Sequence, residues 1–222
     1  MPEITVAVVQ MHPELGKVED NLLAMGKFID KICTEKNVDL VVFPELATTG
    51  YELGLRFTDV AERPTGHVVN TLAQRAADHN THIIFGLVTK EKVESTIFNA
   101  AILLGPDGEM LGEYRKLHLP GEERLAFRPG YRLPVFETTL GQVGILLGWD
   151  LAFPEAARSM ALDGAEILVL PTNFPPGQQN SPGASSSGLQ PPAHSSPNLR
   201  LCSPTNRAAT STQSPAANSS IS

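Results

Sequence analysis

Two patterns of apolar residues alternate along the first 174 residues: short continuous runs, and apolar residues at helical spacing. Together they predict a mixture of strands and helices. Short apolar runs rich in β-branched residues are typical of strands buried on both faces. These runs cover 4–10, 39–43, 82–88, 98–104, 110–116, 143–147 and 166–170. Apolar residues spaced three or four positions apart predict helices over 18–36, 66–80 and 154–163. Strands and helices that alternate in this order predict a layered α/β fold.

A tight turn separates the strands predicted over 98–104 and 110–116. It contains Gly105-Pro106-Asp107-Gly108. Proline presets φ in such a turn, and glycine tolerates the positive φ that the turn needs. The two strands are therefore expected to form a hairpin.

The composition of the chain changes after Phe174. From 175 to 222, Pro, Ser, Asn, Gln and Ala dominate, and acidic residues are absent. Such a segment cannot bury enough apolar area to offset the entropy that it would lose on ordering. We therefore predict a folded domain over 1–174, followed over 175–222 by a disordered tail without regular elements.

Charge and cysteine content narrow the classes of function. A formal net charge of −7 argues against a nucleic-acid surface, which is normally basic. Cys33 and Cys202 are far apart in unlike contexts, so they indicate neither a disulfide framework nor a metal site. The sequence shows no signal segment and no apolar stretch of about 20 residues that could span a membrane. These features predict a cytoplasmic protein without a membrane partner.

A carboxylate follows the second predicted strand. Glu45 stands in the segment Phe43-Pro44-Glu45-Leu46. A carboxylate just beyond an apolar strand is suited to general-base catalysis, because a dry environment raises its pKa. Two other interpretations remain open at this point: Glu45 could cap a helix, or it could be a solvated loop charge.

A lysine ends the fifth predicted strand. Lys116 follows Tyr114 and Arg115 in an alternating polar and apolar pattern. A buried lysine at a strand end can stabilise an oxyanion or lower the pKa of a neighbouring thiol. The alternative is that Arg115 and Lys116 form a charged surface cluster.

The strand predicted over 143–147 leads into a turn and then a helix. Enzymes with α/β folds present nucleophiles at such turns, but the residue here is Gly148, which has no side chain. Taken alone, this glycine indicates no more than a tight turn.

Three segments together resemble the nitrilase, or carbon–nitrogen hydrolase, superfamily. They are Phe43–Leu46, Tyr114–Leu119 and the segment from Gly144 to Glu155, and they occur in the order that the superfamily shows. Asn99, Ala165 and 171–173 also resemble superfamily positions. The resemblance covers about 3–174 and is closer to aliphatic and carbamoyl amidases than to true nitrilases. It implies a four-layer αββα sandwich, here incomplete because the resemblance ends early.

The resemblance also implies roles for individual residues. Glu45 would be the general base, and Lys116 would stabilise the tetrahedral oxyanion together with the backbone N–H of Trp149. Glu123 would hold the lysine or the substrate, and Tyr51 would support the same pocket. The ligand would be a small amide, with no cofactor and no metal ion. Superfamily members also associate through helices beside the active site, so a homo-oligomer is expected, with 154–161 as part of its surface.

The resemblance fails at the nucleophile, because Gly148 stands where the superfamily has its catalytic cysteine. Cys33 and Cys202 lie elsewhere in the chain, so we expect covalent catalysis through a thioester to be lost. Three interpretations remain: an active amidase with another nucleophile, a catalytically silent protein that binds a small amide or a partner subunit, and a product without function. A reading-frame shift near codon 175 would explain the third.

Overall fold

Nine strands and five α-helices are found in residues 3–91, 96–173 and 199–202, the part of the chain that the computed structural model describes. The strands are β1 (Val6–Val9), β2 (Leu40–Val42), β3 (His82–Lys90), β4 (Ile97–Leu104), β5 (Met110–Arg115), β6 (Val135–Thr138), β7 (Gly141–Ile145), β8 (Ile167–Val169) and β9 (Leu199–Cys202). The helices are α1 (Val18–Glu35), α2 (Phe57–Val60), α3 (His67–His79), α4 (Glu123–Ala126) and α5 (Pro154–Leu162). None of these helices is both long and apolar enough to cross a membrane.

The strands form two sheets. The larger sheet has the order β5-β4-β3-β2-β1-β9, in which β1, β2 and β3 are parallel and the neighbours on both sides are antiparallel. The smaller sheet has the order β6-β7-β8. The predicted hairpin is confirmed: β4 and β5 pair around a turn in which Gly108 has φ +82°.

Two apolar cores divide the molecule into four layers. The first core lies between the larger sheet and helices α1 and α3, with Met25, Ile29 and Leu72 fully buried. The second lies between the two sheets and extends to α5, where Met160 is fully buried. Successive residues of β2 point into different cores, Val41 into the first and Val42 into the second. This alternation explains why the strand is apolar at every position, and the resulting helix–sheet–sheet–helix order is the predicted αββα arrangement.

Strand β6 was not predicted from the sequence. Its four residues, Val135–Thr138, are mostly half-buried at an edge of the smaller sheet, so they lack the continuous apolar run of a central strand. Strand β7 begins and ends two residues earlier than the expected 143–147. Beyond Ile145 the backbone stays bonded, since the N–H of Leu146 donates to the carbonyl of Val169 at 3.0 Å.

The prediction that no regular element follows residue 174 is wrong at Leu199–Cys202. This segment is β9, which pairs antiparallel with β1 in the register Val6↔Cys202. Leucines alternate with Arg200 in β9, which gives the two-residue period of a strand, and β1 provides a sheet edge for it. Residues 174–198 and 203–222 lie outside the described residues, so the rest of the predicted disorder stays a prediction.

Candidate active site

Polar side chains meet at one end of the strands of the larger sheet. The parallel strands β2 and β3 finish at this end, β4 begins there, and β5 returns to it. Glu45 lies in the turn after β2, Asn99 near the start of β4 and Lys116 directly after β5. Strands that are apolar elsewhere therefore deliver three polar groups to a single place.

A buried ion pair is the centre of the site. The Lys116 ammonium donates a hydrogen bond to Glu45 Oε1 at 2.6 Å and another to Glu123 Oε1 at 2.8 Å. The side chains of Lys116 and Glu45 are each only 1% exposed. Charges buried so deeply need partners of this kind, because water is not there to solvate them.

Tyr51 and Asn99 also donate hydrogen bonds to the two glutamates. The Tyr51 hydroxyl donates to Glu123 Oε1, and the Lys116 ammonium lies 5.9 Å from the centre of the Tyr51 ring. Asn99 Nδ2 donates to Glu45 Oε1 at 2.8 Å. Within the described residues, Asn99 Oδ1 is buried without a hydrogen-bond partner, so the site retains one unused acceptor.

The turn that carries Glu45 depends on a close approach of β3. A Cβ on Gly86 would lie only 2.2 Å from the Leu46 nitrogen and 2.8 Å from the Pro44 carbonyl oxygen. Leu46 itself has φ +54°, a conformation that L residues rarely adopt. The backbone N–H of Asn173 donates to Glu45 Oε2 at 3.3 Å, which secures the carboxylate from the other sheet.

Burial changes the protonation of Glu123. Loss of solvation and, to a lesser degree, the negative charges of Glu45 and Asp150 together raise the pKa of Glu123 to about 9. At neutral pH, Glu123 is therefore a neutral carboxylic acid. The charge of Lys116 is then balanced by Glu45, and the site is not left with one negative charge in excess.

Gly148 faces the Glu45 carboxylate. It begins a 3₁₀ turn (Gly148–Ala152) after β7, has φ +40° and donates its N–H to the Pro171 carbonyl at 3.0 Å. A Cβ on this glycine would lie 2.5 Å from Glu45 Oε2. Gly148 therefore allows the backbone to turn here, and any side chain at this position would contact Glu45.

Asp150 ties this turn to the segment that carries Lys116. Its carboxylate is fully buried and accepts hydrogen bonds from the Tyr114 hydroxyl at 2.6 Å and from the His118 backbone N–H at 2.8 Å. The same oxygen that binds the His118 backbone also binds the imidazole Nδ1 at 2.8 Å. Burial beside this carboxylate raises the pKa of Tyr114, which keeps its hydroxyl a donor.

The structure decides between the alternatives that the sequence left open. Glu45 neither begins a helix nor lies in solvent, so helix capping and a solvated charge are both excluded. The surface-cluster interpretation is wrong for Lys116, but it describes Arg115, which points to the opposite face and pairs with Glu91 and Glu113. Trp149 is half-buried, and no acceptor in the described ranges binds its backbone N–H.

Two contributions to the site were not predicted from the sequence. Asn99 resembled a superfamily position but received no role, and Asp150 was not considered as a site residue. The alternating pattern in 114–118 could have predicted that these side chains lie together, because Tyr114, Lys116 and His118 share one face of an extended segment. Tyr114 and His118 both contact Asp150.

Removing the lysine tests the importance of the buried ion pair. Lys116→Met leaves Glu45 buried without a cation, and we expect the free energy of unfolding to fall by about 3–5 kcal/mol. The measurement is urea unfolding beside Lys31→Met, an exposed lysine of α1, for which a change within about 0.5 kcal/mol is expected. Equal small losses in both variants would contradict the importance given to the pair.

The carbon–nitrogen hydrolase family model matches residues 5–209 of the chain, a range that continues beyond Phe174. A probable nitrilase of Schizosaccharomyces pombe is 40% identical over 172 residues, which cover 76% of this chain and 63% of that relative. A nitrilase of Pyrococcus abyssi is 36% identical over 175 residues, 77% of this chain and 65% of that relative. The chain thus spans less than two thirds of the length of these two relatives.

Solved structures of nitrilase-superfamily proteins also resemble this chain. Nit3 of Saccharomyces cerevisiae, a member of branch 10 of the nitrilase superfamily, superposes with a TM-score of 0.74 at 25% identity, over 80% of this chain and 67% of Nit3. A variant of the amidase from Nesterenkonia sp. AN1, with the acetamide moiety of fluoroacetamide added at its active-site cysteine, gives a TM-score of 0.73 at 26% identity. That match covers 82% of this chain and 69% of the amidase. The match of the family model over 5–209 shows that the chain belongs to the carbon–nitrogen hydrolase family, and the sheet order and the buried group at Glu45 agree with that conclusion.

Proposed function

We propose that this chain binds a small amide at the site formed by Glu45 and Lys116 and does not hydrolyse it through a thioester. The observation that carries the proposal is Gly148. In the thioester mechanism, a thiolate attacks the amide carbon and expels ammonia or an amine, and water then releases the acyl group. A glycine beside the Glu45 carboxylate offers no atom for the first step.

Neither cysteine of the chain supplies the missing thiol. Cys33 lies on α1 and packs against the core between that helix and the larger sheet. Cys202 is in β9, where it pairs with Val6 at the beginning of β1. The candidate site lies where β2 and β5 end, so both cysteines belong to other parts of the fold.

The groups that would hold an amide are retained. The Lys116 ammonium and the free N–H of Trp149 are donors for a carbonyl oxygen, and Glu45 is an acceptor for the amide nitrogen. A double mutant of the Nesterenkonia amidase has been solved in complex with acrylamide. We assign the same ligand class, short aliphatic amides, to this chain by its likeness to that protein.

Binding without turnover is the test of this proposal. We expect propionamide to cause saturable chemical-shift changes in NMR spectra of the unmodified chain, with no ammonia released in a coupled assay. Glu45→Gln should weaken the binding by about tenfold, since it replaces an ionised acceptor. Glu19→Gln, at an exposed position, should leave the binding unchanged and serves as the matched control.

Three outcomes would support other interpretations. Ammonia release that Glu45→Gln abolishes would mean that the unmodified chain is an amidase with a different nucleophile. Saturable binding that is identical in both variants would place the ligand elsewhere on the protein. The absence of a cooperative unfolding transition would favour the remaining interpretation, a product without function.

A further inference from the structure

A second group of reactive side chains lies beside the candidate site and is not used by the proposed function. Asp150 Oδ2 accepts hydrogen bonds from the Tyr114 hydroxyl and the Leu147 backbone N–H, at 2.6 and 3.2 Å. Its Oδ1 accepts from the backbone N–H and from Nδ1 of His118, both at 2.8 Å. A fully buried carboxylate with four donors is fixed in position and stays an acceptor.

The orientation of the His118 ring follows from this arrangement. Because Asp150 Oδ1 accepts, the imidazole proton resides on Nδ1, and the neutral ring carries its lone pair on Nε2. The ring also stacks on Phe153, with 3.7 Å between centroids and 13° between planes. The His118 side chain is 31% exposed, and no partner for Nε2 is found in the part of the chain that the structure describes.

We propose that His118 is a nucleophilic imidazole that accepts acyl groups from activated esters. Its Nε2 lone pair attacks the ester carbonyl, and the carbon–oxygen bond to the leaving alkoxide or phenoxide breaks with both electrons on that oxygen. The product is a cationic acyl-imidazolium, whose Nδ1 proton Asp150 continues to accept. Water then attacks the acyl carbon, the carbon–nitrogen bond breaks, Nε2 is restored and one proton enters solution.

The surroundings of His118 favour an acyl group over a phosphoryl group. Phe153 covers one face of the ring and is itself partly exposed, and Leu151 in the same turn is an exposed apolar side chain. A phosphoryl group would need cations, but the charged group that contacts the His118 ring is the carboxylate of Asp150. The anionic Asp150 behind the ring would also repel a phosphate.

Two other histidines of the chain are natural comparators. His79 pairs through Nε2 with Asp30 at 2.9 Å, but Asp30 is half-exposed and the His79 side chain is only 23% exposed. His67 is 64% exposed and lies 3.6 Å from an exposed Glu19. Neither has a buried carboxylate on Nδ1, so neither should match the reactivity of His118.

Hydrolysis of p-nitrophenyl acetate by the unmodified chain tests the proposal. We expect His118→Gln to lower the rate of p-nitrophenolate release by about fivefold or more, because the activated nucleophile is lost. His67→Gln should keep the rate of the unmodified chain. Equal rates for His118→Gln and the unmodified chain would overturn the proposal.

A second measurement avoids any effect of substitution on folding. The unmodified chain is treated with limiting diethyl pyrocarbonate, which gives stable adducts on nucleophilic imidazoles, and the modified peptides are quantified by mass spectrometry. His118 should react at least about threefold faster than His67, although it is less exposed. Modification in order of exposure alone, with His67 first, would overturn the proposal, and it would do so whether or not the chain binds amides.

Discussion

Replacing Gly148 by cysteine is expected to give ammonia release from short aliphatic amides, at a rate at least about 10³-fold above that of the unmodified chain. The turn already places residue 148 beside Glu45, which would take the thiol proton. Lys116 and the N–H of Trp149 would stabilise the oxyanion. The measurement is ammonia production from a panel of aliphatic amides and N-carbamoyl amines.

The new side chain requires a local rearrangement. A Cβ at position 148 would lie 2.5 Å from Glu45 Oε2, so the Glu45 carboxylate must turn away while Lys116 and Asn99 continue to hold its other oxygen. The φ of +40° at this position adds strain of about 1–2 kcal/mol for a residue with a Cβ. We therefore expect Gly148→Cys to be less stable than the unmodified chain although it is more active.

Gly148→Ala is the matched control for this experiment. It introduces the same Cβ, the same contact with Glu45 and the same strain, but no nucleophile. If Gly148→Cys releases ammonia and Gly148→Ala does not, the glycine alone silences the site. If both variants fold with similar stability and both are silent, the prediction that a cysteine at position 148 restores hydrolysis is contradicted.

Stability is expected to fall as the pH rises, because of Glu123. Its pKa is raised from 4.5 to about 9 in the folded chain, first by loss of solvation and then by the charges of Glu45 and Asp150. Between these two values the folded chain holds a proton that the unfolded chain has lost. The stabilising contribution is therefore complete below about pH 4 and decreases up to about pH 9, by at most about 1.4 kcal/mol per pH unit.

Urea unfolding at about pH 5 and about pH 9 measures this effect. For the unmodified chain we expect a loss of several kcal/mol between these two conditions, on the order of the increase in the pKa of Glu123 multiplied by the energy per pH unit. Glu123→Gln keeps the shape and the neutral charge of the protonated acid, so it should remove most of this dependence. Parallel curves for the two chains would show that Glu123 does not titrate in this range.

Much of the fold was predictable because the central strands are apolar on both faces. Strands β1 to β5, together with helices α1, α3 and α5, are found where the hydrophobic periods indicate, with ends that differ by at most two residues. A buried strand has a local signature, since each of its residues must be apolar for both cores. The edge strands β6 and β9 have no such signature, because their existence depends on a neighbouring strand that the local sequence does not reveal.

The chemistry of the site divides in the same way. The sequence by itself identified candidate site residues: the motifs point to Glu45, Lys116 and Glu123, and they show that a glycine stands at position 148. Only the tertiary structure decided that Lys116 is shared by two glutamates, that Glu123 is neutral, and that Asp150 binds His118. A pKa and a hydrogen bond depend on burial and on partners distant in sequence, and only the packing of the two sheets sets both.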